Sequence, residues 1–132
     1  PLMFALDTNS LIYFFKGMGR VAERLLATAP SEVALPTVAR YELEVGIAKS
    51  RMPNKRRAQL DEMLGVIRLL PFDRQAAEAS ARIRAELEAL GKPIGPIDTL
   101  IAGTALATGA TLVSHNVKEF RRVPGLRVID WF

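Results

Sequence analysis

Apolar residues along this chain come in short unbroken runs separated by longer stretches of helical period. Residues 3–6 ("MFAL"), "EVAL" (32–35), "IRLLPF" (67–72), "ATLVS" (110–114) and "LRVID" (126–130) predict five strands. Helices are expected around 8–16, 18–28, 36–50, 54–66, 74–90 and 97–108, with a short helical turn at 116–120. The "GKPIGP" break (91–96) separates the fifth of these helices from the sixth. Strands that alternate with helices predict an α/β fold, a parallel sheet covered by helices on both faces. Ligands of such folds bind at the carboxyl ends of the strands, near the point where strand order reverses. Asp7 stands at the carboxyl end of the first strand, between two apolar stretches, in "FALDTNSLIYFF".

A carboxylate there loses much of its hydration, and an unpaired buried charge costs several kcal/mol or more. Two further acids are placed to share its surroundings. Glu42 lies on the 36–50 helix, where Val38, Tyr41, Val45 and Gly46 are expected to share its inward stripe. Its plainer role is a flank residue paired with an arginine. Asp98 follows Pro96 at the start of a nearly uncharged helix rich in Ala and Gly, which implies burial against the sheet. Its plainer role is a helix cap. Glu119 and Asp130 are expected to be solvated surface residues. Three converging carboxylates repel one another unless a cation joins them. An oxygen-only ligand set suits Mg²⁺ or Mn²⁺ rather than zinc.

Composition narrows the classes. The 132 residues are the size of one domain, 1–132, and 49% apolar content supplies a core. There is no cysteine, which removes disulfides, thiolate zinc sites and a Cys nucleophile, and fits a reducing cytoplasm. No secretory leader is expected at the start, and the most apolar window, 97–113, is too short and polar to span a membrane. The net charge of +4 favours a polyanionic partner only modestly.

The chain resembles PIN-domain proteins, and more narrowly the VapC ribonuclease toxins of bacterial toxin–antitoxin pairs. The likeness rests on "LDTNSLI", "ARYELEVGIAKS", "RAELEALGKPIGPIDTLIAGTA" and "LVSHNVKEFRRVPGLRVIDWF", and covers essentially the whole chain. It implies a PIN-like domain with a twisted parallel sheet of about five strands. The family's acidic constellation falls on Asp7, Glu42 and Asp98, and its fourth acidic position falls on Asn116, a neutral departure that lowers the charge of the site. Ser114, Thr8 and Asn9 are candidates to position water or substrate. The resemblance further implies a homodimer, a VapB-type antitoxin whose tail covers the acidic site, operator DNA bound through that antitoxin, and RNA cleavage. Transfer RNA, cut in its anticodon stem-loop, is the expected substrate.

Phosphodiester hydrolysis by a divalent ion fits these residues, with Asp7 and Asp98 as principal ligands and Glu42 as ligand or water orienter. A histidine pair is unavailable, because His115 is the only histidine; it lies near the proposed site, where it is expected to end a strand, with substrate contact as the alternative. Five cations in "KSRMPNKRR" (Lys49, Arg51, Lys55, Arg56 and Arg57) are candidates for phosphate contacts. Arg82 and Arg84 on the long helix, and Lys118, Arg121 and Arg122 near the fourth strand, are others. Two other functions use the same fold. A phosphatase with Asp7 as nucleophile would ordinarily want an acid at position 9, which is Asn, and a non-catalytic RNA- or protein-binding module needs no metal.

Overall fold

The computed structural model describes residues 2–132. Five strands, β1 (Phe4–Leu6), β2 (Val33–Pro36), β3 (Arg68–Leu70), β4 (Thr111–Val113) and β5 (Val128–Ile129), form one parallel sheet in the order β3-β2-β1-β4-β5. Helices α1 (Thr8–Lys16) and α2 (Val21–Leu26) lead from β1 to β2, with a 3₁₀ turn at Pro30–Glu32 that the apolar pattern does not reveal. Helices α3 (Thr37–Ala48) and α4 (Pro53–Leu64) connect β2 to β3. Helices α5 (Arg74–Ala89) and α6 (Pro96–Thr108) return the chain to β4, and α7 (Val117–Phe120) precedes β5.

The expected alternation is borne out, and the differences have local causes. The three inner strands carry the continuous apolar runs that a sheet covered on both faces requires: Ala5, Leu6, Val33, Ala34, Leu35, Leu112 and Val113 are fully buried. Pro36 ends β2 rather than starting α3. The edge strand β3 stops before Pro71, which has no N–H to offer a ladder. The second helix begins only at Val21 because Gly17 and Gly19 both take positive φ, ending α1 and turning the chain.

The order reverses between β1 and β4. The chain adds β2 and β3 on one side of β1, then crosses to lay β4 and β5 on the other. The carboxyl ends of β1 and β4 therefore frame the crevice.

Helices α5 and α6 form the tightest helix contact. A Cβ on Gly103 would lie 1.9 Å from Ser80 Oγ and 2.8 Å from Ser80 Cα, so only glycine allows this approach. Gly103→Ala is expected to cost about 1–3 kcal/mol through overpacking and to lower Tm by roughly 5–15 °C. An unchanged melting curve would mean that the two helices separate freely.

Candidate active site

Asp7 follows β1 directly and is 5% exposed. Its backbone N–H donates to Val113 O at 3.1 Å, which binds the end of β1 to the end of β4. Its Oδ1 accepts from the Ser10 N–H at 2.8 Å and caps α1. Ser10, a residue the sequence did not single out, also donates its hydroxyl to Val113 O at 3.1 Å. Burial pushes the Asp7 carboxyl above its ordinary range. Hydrogen bonding by Ser10 and Ser114 opposes that shift, and the charge of Asp130 adds to it. The helix start thus compensates the buried carboxylate only in part.

Asp98 has the opposite standing. It lies in the first turn of α6, where Gly95 is the N-cap and no side chain makes a capping bond. The cap role expected as its plain alternative belongs to Asp7 instead. The Asp98 carboxyl is raised to about 6 by burial and by the charges of Asp7, Glu42 and Glu119. Three carboxylates from three other segments therefore act on Asp98 at the crevice.

Glu42 projects from α3 and accepts from Thr8 Oγ1 at 2.5 Å, a bond that ties α3 to the first turn of α1. The inward stripe of α3 differs from the expected one. Ala39 and Leu43 are its buried residues, whereas Tyr41 is 59% exposed and Gly46 also faces solvent. Glu42 is half-buried beside Leu43 and borders a groove of about 290 Å³ shared with Ile12, Phe15 and Ile47. Asn9, by contrast, is exposed.

Glu119 is the acid that sequence reasoning missed, and its surface assignment is corrected here. It is half-buried, accepts from Asn116 Nδ2 at 3.0 Å, and its charge helps raise Asp98. Asn116 is exposed, and its amide orients Glu119. Its backbone N–H donates to the fully buried Ser114 Oγ at 2.9 Å. The spacing of three residues from Asn116 to Glu119, one turn of helix, was the available signal. Asp130 is exposed, as expected, and it also bonds His115 and adds its charge to Asp7.

Among the described residues, no three Asp, Glu or His side chains close into a ready-made metal shell. The donor chemistry still fits a hard cation. The groups are oxygen donors, they are partly or wholly buried, and burial together with the charges of its neighbours lifts Asp98. Mg²⁺ is ordinarily held by one or two carboxylates together with waters and substrate phosphates, so a closed protein cage is not required.

The candidate phosphate contacts separate by partner. Lys49, Arg51, Lys55, Lys118 and Arg121 are exposed and make no ion pair among the described residues. Arg57 is committed to Glu44 and Asp61, so it braces α3 against α4. Arg56 donates to Gln59 and lines the groove beside Glu42. Arg82 neighbours Leu106 and Ala107, late in α6 and about 12 Å along that helix from Asp98. Arg84 pairs with Glu88, and Arg122 donates to Pro93 O.

A parallel sheet whose switch point holds several acids defines a class, and the comparisons identify it. The family model of the PIN domain matches residues 4–126. The "tRNA(fMet)-specific endonuclease VapC" of Salmonella typhimurium is 35% identical over 130 residues, 98% of each chain. The "Ribonuclease VapC2" of Rickettsia felis is 30% identical over 138 residues, again 98% of each. Among solved structures, the chain superposes on DNA-bound VapBC from Salmonella typhimurium with a TM-score of 0.93 and 36% identity, over 100% of both chains. The match to promoter-bound VapBC2 of Rickettsia felis has a TM-score of 0.92 and 31% identity, covering 99% and 100%. The chain belongs to the PIN-domain family and, within it, to the VapC ribonucleases.

Proposed function

We propose that this protein is a Mg²⁺- or Mn²⁺-dependent endoribonuclease, the toxin of a VapBC-type pair, and that it cuts a structured RNA such as a transfer RNA. One observation carries the reading: acids from separate elements gather at the reversal point of the sheet, where burial and the charges of Asp7, Glu42 and Glu119 raise the Asp98 carboxyl to about 6. The names of the relatives support the substrate class. Asp7 and Asp98 would hold the ion, with Glu42 as a further ligand or as the acceptor that orients a water. When bound, a divalent ion activates water and neutralises charge on the phosphate. The chain prepares the rest. Thr8 fixes Glu42, Ser10 and Ser114 fix Asp7, and Asn116 fixes Glu119. Lys49, Arg51, Lys55 and Lys118 supply exposed positive charge for the RNA backbone.

The antitoxin reading rests on the groove between α1, α3 and α4. Its apolar wall of Ile12, Phe15 and Ile47 ends at Glu42, so a partner segment lying there would shield the acids. The VapBC complexes among the structural neighbours support such a partner. The homodimer belongs to the same proposal, and light scattering should report twice the 14.5 kDa chain mass.

Incubation of purified protein with transfer RNA and with an unstructured RNA, with Mg²⁺ and with EDTA, tests the nuclease. Cleavage that survives EDTA would refute the metal requirement, and cleavage of neither RNA would refute the activity. Asn116→Asp probes the neighbouring acids. It replaces the donor facing Glu119 with a carboxylate, so the metal-free protein should lose about 1 kcal/mol. Mn²⁺ should bind more tightly, because one more charge is offset. Calorimetry that shows unchanged Mn²⁺ affinity would exclude residue 116 from the metal's surroundings.

A further inference from the structure

A second cluster adjoins the acidic crevice and has no part in holding the ion. His115 Nδ1 lies 3.0 Å from Asp130 Oδ2, and the Phe132 N–H donates to Asp130 Oδ1 at 2.8 Å, so one carboxylate joins two rings. Those rings are stacked, with centroids 4.1 Å apart and planes at 21°. Tyr13 meets both edge-on, at 6.0 Å from His115 and 5.0 Å from Phe132. Phe132 is also gripped from behind. The Arg20 N–H donates to its carbonyl at 2.6 Å, and a Cβ on Gly19 would stand 2.6 Å from that oxygen and 2.7 Å from the ring.

An aromatic stack fixed this firmly would normally be core, yet this one meets solvent. The His115 side chain is 47% exposed and Phe132 is 38% exposed. One face of the imidazole is covered by Phe132, its Nδ1 edge meets Asp130 and Tyr13 lies 6.0 Å away, so the rest of the ring carries the exposure. The cluster also borders the chemistry. His115 follows Ser114, which bonds Asp7, and the charge of Asp130 acts on the Asp7 carboxyl.

We propose that His115, backed by Phe132, is a shelf on which one unpaired nucleobase of the RNA stacks, next to the phosphate held at the acidic crevice. The proposal rests on the endoribonuclease reading. Its logic is preorganisation: unstacked loop bases seek aromatic faces, and any base can use one. A ring already immobilised loses little freedom when the base arrives. His115 is a positioning residue here, one that fixes the strand while the carboxylates act.

Three measurements test the shelf. His115→Ala should raise KM for a cleaved RNA by about tenfold with kcat changed by less than about twofold, whereas His115→Phe should restore KM. A series of substrates, each with a single abasic nucleotide near the cleavage point, should contain one that weakens the wild type about tenfold and His115→Ala no further, because base and ring form one contact. In His115→Trp, a single-stranded ribo-oligonucleotide should quench the new indole, with the buried Trp131 as the steady reference. If the wild type cleaves RNA and His115→Ala matches it in KM, the shelf is wrong and the nuclease reading stands. Equal losses in the Ala and Phe variants would assign His115 a role other than stacking and overturn the proposal. So would a loss confined to binding of an antitoxin peptide. Absence of cleavage by the wild type defeats the nuclease reading itself, and the shelf with it.

Discussion

Asp98→Asn and Asp7→Asn are each expected to lose Mg²⁺-dependent RNA cleavage by about a thousandfold while keeping the fold. An ion's charge stabilisation of the transition state is worth several kcal/mol, and each substitution removes one anionic ligand without changing shape. The two differ in what else they disturb. Asp7 caps α1 through the Ser10 N–H, and Asn is an equally good cap, so that helix survives. Asp98 makes no capping bond, so its charge supports α6 only through the helix dipole at the first turn. Without metal, both variants should melt higher than the wild type, because a like-charge repulsion between partly buried groups is gone. If expression of the wild type arrests growth, as the toxin reading expects, expression of either variant should not. Asp98→Asn that cleaves RNA as well as the wild type would leave the acids without a catalytic role.

Mn²⁺ affinity and cleavage should fall about tenfold per pH unit below pH 6, where Asp98 takes up its proton in competition with the ion. The stability of the metal-free protein should move the other way. The folded carboxyl titrates near 6 and the unfolded one near 3.8, so the folded state binds this proton more tightly. Stability from this group is complete below about pH 4 and is lost as pH rises through 6. Asp7, also raised, contributes in the same direction. Melting temperatures of the metal-free wild type and Asp98→Asn across pH 4–7 give the check. The wild type should lose stability relative to the variant as pH rises, and saturating Mn²⁺ should abolish that difference. Parallel curves would show that Asp98 does not titrate in this window.

What the sequence made legible follows how local each cause is. The inner strands could be read because burial on both faces forces unbroken apolar runs, as at Val33–Leu35. Asp7 could be read because a charge directly after such a run is desolvated and must find compensation nearby. The register of α3 was harder, because residues on either edge of a helical stripe differ by about 100°, and Tyr41 fell on the outer side. Arg57 looked like a free cation among four others, but its partner Glu44 sits on another helix, a pairing no local pattern contains. Glu119 was hidden for the same reason. Its four-residue helix points at Asp98 only because β4 delivers it there.

The origin of the four acids, one just after β1 and the others in α3, α6 and α7, has a consequence for the birth of the protein. Asp7, Glu42, Asp98 and Glu119 meet only through the docking of segments far apart in the chain, the slow and non-local part of folding. A ribosome that has released residues 1–97 has made the β1–β3 half of the sheet and two of the acids, and no cleavage centre. On the proposed site, such a chain lacks Asp98 and Glu119 and should not cut RNA until α6 and β4 dock. A nuclease that emerges among its own substrates thus gains a delay in time, set by topology, before it can cut.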